Sequence, residues 1–217
     1  MIWTRGSGRK VLAVAALAAL MMGSTAVAHD EKQKEAQRIG EAAVKSDAYL
    51  DQLALFDAKQ VALGELALQR AQSAEVRKFA EQLVQDHRQN RSALMDWAYS
   101  KDIEVMTVSL ASPMMGVGGS GGAMHDDKDM ARADMHMDKD VMNAQKDLDK
   151  LGAKEGMAFD KAFLSQVLSD QEKGKKMLGK GEKKFEADPA FASMIARTDS
   201  LVMARIAEGK RLQDDLK

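Results

Sequence analysis

An all-α fold, four amphipathic helices packed as a bundle, is what this sequence predicts, on three observations. Only two prolines interrupt 217 residues. Beyond the first thirty residues the composition is dominated by Ala, Leu, Lys, Glu, Gln, Asp and Met, which are good helix formers apart from Asp, with few β-branched runs. Apolar residues recur at steps of three and four, the spacing that lines one face of a helix.

Arg5, Arg9 and Lys10 precede an uncharged, Ala- and Leu-rich stretch from Val11 to Met22, followed by Ala26-Val27-Ala28. This reads as a secretory signal peptide over 1–28, and predicts a periplasmic or secreted protein after its removal. The apolar stretch is too short to span a bilayer, and no transmembrane segment is predicted in the mature chain. Loss of the leader takes the formal net charge from −1 to −4. With Lys and Glu interspersed, nothing points to a nucleic-acid partner. The absence of cysteine excludes disulfides and thiolate metal sites.

Residues 29–45 are predicted to be a polar, frayed N-terminal arm with some helix tendency. Helix 1 is predicted from Ser46 or Asp47, either able to cap it, to about Ala71, with a wide apolar face from Leu50 to Leu68. Ser73 offers the cap of helix 2, whose seam reads Val76, Ala80, Leu83, His87, Asn90, Leu94, Trp97. These two make a first hairpin over 46–103. A Gly-, Met-, His- and Asp-rich linker is predicted over 104–140, with a flexible break at Ser112 to Gly122. Helical character returns from Val141 to Leu151, pauses at Gly152 and Gly156, and resumes from Ala158 to about Phe185. Asp188-Pro189 opens helix 4, a cap followed by proline at the first helical position. The seam of helix 4 is Phe191, Ile195, Thr198, Val202, Arg205, Gly209, Leu212, and 141–217 is the second hairpin of the same bundle. Two hairpins joined by one long, flexible connection predict the ferritin-like variant of the four-helix bundle, with a simple up-and-down bundle as the alternative.

VALGELALQRAQSAEVRKFAEQLVQDHRQNRSAL, from Val61 to Leu94, and GMAFDKAFLSQVLSDQEKG, from Gly156 to Gly174, with the DPAF opening of helix 4, resemble the exported, ferritin-like domain-of-unknown-function family 4142. The similarity covers about 47–101 and 147–212. Its most specific words are Leu63-Gly64-Glu65-Leu66-Ala67 and Val84-Gln85-Asp86-His87. The resemblance implies fold and export, since no molecular activity is established for the family. Relatives commonly carry a second Asp-His in the helix over 158–185, a histidine late in helix 4 and a glutamate before the Leu-Gly of helix 1. This chain has Asp170-Gln171, Arg205 and Ala62 there, while His87 remains.

A di-iron centre in such a bundle needs carboxylates from two helices and Glu-x-x-His from the other two. Here the core-facing histidine is His87, no Glu-x-x-His occurs, and the acids Asp57, Glu65 and Asp170 are scattered, so no catalytic residue and no enzyme activity are predicted. His87 reads either as a metal ligand or as a seam histidine hydrogen-bonded near Asn90. Arg205 on the seam predicts a buried partner, Asp170 or another acid of the helix over 158–185, or a head group reaching water.

The tract Met124 to Asp140 repeats the word Met-His-x-Asp-Lys-Asp. Eight methionines lie from Met106 to Met142. Thioethers suit copper(I) and silver(I), and imidazole suits copper(II). The candidate ligands are Met124, His125, Met130, Met135, His136 and Met137. In one continuous helix His125 and His136 would stand about 16 Å apart along the axis, so each half would bind locally. Two readings stand side by side: a soft-metal-binding protein of envelope stress or metal tolerance, with copper or silver as its ion, and a structural or protein-interaction module of the cell envelope with the tract as a plain linker.

Overall fold

In the structure, a computed structural model, residues 27–110, 128–185 and 188–217 are described, with side chains from 46–110, 135–185 and 188–217. Most of the leader, the glycine-rich break, Met124 and His125 lie outside the described residues.

Among the described residues five helices follow in order: α1 Val27–Arg70, α2 Ala74–Ser100, α3 Lys128–Gly152, α4 Gly156–Lys184 and α5 Pro189–Asp215. The polar arm expected over 29–45 is instead the first part of α1, which runs through Ser46 and Asp47 without a break. Nothing in that stretch stops a helix, because it holds no proline and a single glycine. Ser73 caps α2 by accepting from the Val76 N–H, and Asp188 caps α5 by accepting from Ala190 and Phe191.

The bundle is α1, α2, α4 and α5, with every neighbouring pair antiparallel. Phe56 lies by Gly174 and Tyr49 by Gly181, so α1 and α4 run in opposite senses. Phe79 lies by Gly209 and Arg205 pairs with Asp86, which sets α5 against α2 in the same way. Leu83, Val167 and Val202 are buried, as the seams predict. Tyr49 and Phe56 stand seven residues apart on α1, as do Gly174 and Gly181 on α4. A Cβ at either glycine would collide with the facing ring, so these glycines are slots that let the two helices close over large aromatics. Burial pushes the Tyr49 phenol pKa up.

The long connection differs most from expectation. Residues 103–110 form no helix or strand but bury Val105 and Val108, and the Met106 N–H donates to Asp51 Oδ1 at 2.7 Å. From Lys128 the chain is helical, so residues 128–140 of the linker expected over 104–140 belong to α3. The physical reason is a stripe of Met137, Val141, Ala144, Leu148 and Leu151, at steps of four and three, which seats α3 against α1 and the core beyond it. Contacts of Met137 near Leu55 and of Asp147 with Lys59 show that α3 runs parallel to α1. It carries the chain back along the bundle, which is the arrangement with one long crossover.

Candidate functional site

Midway along the bundle three helices bring polar side chains into the buried interior. α1 supplies Asp57 and Gln60, α2 supplies His87 and α4 supplies Gln171, all of them buried. His87 Nδ1 lies 2.7 Å from Asp57 Oδ1, and His87 Nε2 lies 2.9 Å from Gln171 Nε2. The same Gln171 amide donates to Gln60 Oε1 at 3.1 Å. With Gln171 so oriented, Nε2 of His87 accepts and Nδ1–H donates to the carboxylate, so one proton placement serves the whole chain. Burial raises the Asp57 carboxyl above its ordinary range, against the opposing pull of His87 and Arg91. Phe56 meets the imidazole edge to face at 5.1 Å. Gln60 Nε2 and Gln171 Oε1 are buried without a partner.

Chemically this centre offers one carboxylate, one imidazole and two amides. Gln171 stands where the resemblance has a histidine, and its amide lies directly on the imidazole of His87. Among the described residues, no three His, Asp or Glu side chains gather where they could hold an ion. Asn90, expected as the neighbour of His87, is buried but is not its hydrogen-bond partner.

The Met/His tract is partly in view. Met130 belongs to α3, while Met135 is 69 % exposed, His136 is exposed and Met137 is only 8 % exposed. Successive helical residues are turned about 100° from one another, so the three side chains point in three directions. Met137 packs with Leu55, Ala58, Val108 and Ala144. The structure therefore leaves Met135 and His136 exposed, about 100° apart around α3, and buries Met137.

The two sequence words noted above face each other across one interface. A Cβ on Gly64 would lie 2.5 Å from the Val84 side chain, so the glycine of the first word is the slot for the valine of the second. Arg88, just past the second word, pairs with Glu65 of the first at 2.6 Å. Asp86 faces α5 and His87 faces α1, which explains why the two residues are adjacent. The family model described as "Domain of unknown function (DUF4142)" matches residues 31–212. The chain belongs to the DUF4142 family. That span includes the Met/His tract, and is wider than the two blocks that carry the resemblance. No curated protein and no solved structure matches this DUF4142 chain.

Arg205 corrects an expectation. Its partner is Asp86 on α2 at 2.7 Å, with Gln82 at 2.9 Å and Glu208 also bonded, and not Asp170. The guanidinium fork fits donors to several acceptors on α2 and α5 at once. Asp170 is taken by Lys59 at 2.8 Å, and Lys59 also holds Asp147 at 2.7 Å, so one lysine of α1 clamps α3 and α4. Burial alone would lower the Lys59 pKa, but the two carboxylates outweigh it and the net direction is up. Asp160, fully buried on α4, accepts from the Gln72 and Ser73 N–H groups at 3.0 and 2.8 Å and so ties down the turn between α1 and α2. Sequence reasoning passed over Asp160, although an acid set between Phe159 and Phe163 on an apolar stripe was a signal that some donor waits for it.

Proposed function

We propose that this DUF4142 protein is a non-enzymatic, exported, ferritin-like helical bundle that binds soft monovalent metal ions, copper(I) or silver(I), on the outer surface of α3. The observation that carries the reading is the pair of unpacked thioethers. Met135 is 69 % and Met142 58 % exposed, seven residues apart and so on one side of the helix, with His136 beside the first. A thioether in water contributes no packing, whereas it is a good donor to a soft ion. The interior supports the same division of labour, because His87 is engaged by Asp57 and Gln171 and leaves binding to the surface. The leader predicted over 1–28 supports an envelope location for this chemistry, and no described helix is long and apolar enough to cross a membrane.

A second reading has its own support. Met137 is packed into the bundle, which suits a tract that serves as crossover in a structural or protein-interaction module of the envelope. Titration of the mature protein with silver(I), and with copper(I) under reducing conditions, separates the two. The comparison is a variant with Met124, Met130, Met135 and Met142 changed to Leu and His125 and His136 to Gln, keeping Met137. The metal reading expects bound ions in the parent and their loss in the variant. Equal stoichiometry in both, or none in either, leaves the structural reading.

A further inference from the structure

The separation of Met137 from Met135 and His136 has a consequence for how a soft ion is held. Resting on the metal reading above, we infer that capture of the ion by Met135 and Met137 together lifts the turn of α3 around Met137 off α1.

While α3 is helical, Met135 and Met137 lie about 200° apart around the axis and their sulfurs cannot share an ion. Their exposures, 69 % against 8 %, express that divergence. One thioether and one imidazole at an open surface make a weak site, and a second soft donor is what favours copper(I) or silver(I) over harder competitors. In an extended backbone, residues two apart share a face, so unwinding from Met135 to Met137 brings both sulfurs to one side and leaves the His136 imidazole on the other. The ion forms coordinate bonds to the two sulfurs, and the interactions given up are helical hydrogen bonds and the seat of Met137 on Leu55, Ala58 and Val108.

The release has a built-in stop. Lys59 holds Asp147 of α3 and Asp170 of α4 together, and Leu148 and Leu151 lie in the main core with Leu63 and Phe163. Unwinding therefore ends before Asp147. It uncovers a small apolar patch on the outer face of α1, so the ion turns a covered surface into an exposed one.

Hydrogen exchange of the full mature protein with and without silver(I), combined with silver(I) affinities, tests this. On adding silver(I), protection falls at 135–143 and at 105–110 and persists at 148–152. Met137→Leu, which keeps the seat filled but removes the sulfur, weakens silver(I) binding about tenfold and abolishes the exchange change. Val108→Ala, which loosens the seat, acts in the opposite sense and tightens binding, with circular dichroism confirming that the helices persist. Silver(I) bound equally by the parent and Met137→Leu, with α3 still protected, overturns the inference and leaves an ion on the outer face. Absence of silver(I) binding by the parent overturns the underlying reading as well.

Discussion

His87 and Asp57 show how much a single buried pair governs. Asp57 is an acid whose pKa burial has raised, so the folded protein holds its proton more tightly than the unfolded chain. Such a group lowers stability as pH rises through the ordinary carboxylate range and on toward its folded value. Stability of the parent relative to Asp57→Asn should therefore fall as pH rises above about 4, measured by urea unfolding at a series of pH values. Asp188 behaves oppositely. Its bond to Lys101, then the Phe191 N–H, hold its pKa down to about 2. Its contribution is complete above the unfolded carboxylate pKa and is lost as pH falls toward 2, and Asp188→Asn should flatten that part of the acid limb. Asp160→Ala strands two backbone donors in the α1–α2 turn and should cost about 3 kcal/mol in denaturant unfolding. At this scale the sequence made His87 legible as an inward residue through its place on the α2 seam. Asp57, Gln60 and Gln171 were not legible as its companions, because three helices must be docked before those positions coincide.

For single elements the main lesson is α3. Its stripe of Met137, Val141, Ala144, Leu148 and Leu151 has the spacing of a packed helix. Only its last three turns stood out, because methionine there drew attention as a ligand and alanine is a faint apolar mark. The stripe nonetheless buries Leu148 to 1 % exposure, and Leu148→Ala should destabilise the protein by about 3 kcal/mol. On α4, two glycines separate packing from propensity. Gly174→Ala drives a methyl into Phe56 and should cost about 2 kcal/mol, whereas Gly179→Ala has open space and should stabilise by about 0.5 kcal/mol. Thermal unfolding of the two variants checks the contrast, and equal shifts would contradict the slot assignment for Gly174.

Across the whole molecule, the hairpins and their antiparallel order were readable because short turns at Ser73 and Asp188 leave little freedom for neighbouring helices. The return path was not, since a composition rich in Gly, Asp and Lys describes equally a loose linker and the solvent face of an outer helix. The packing resolves this by using α3 as a strap, with apolar residues against α1 and with Met135, His136 and Met142 in water. That double use is the claim on which the functional proposals stand. Amide hydrogen exchange of the metal-free mature protein measures it directly. Protection over 137–151 comparable to that in α1 is the predicted result, and exchange there at the rate of an unstructured chain would contradict it.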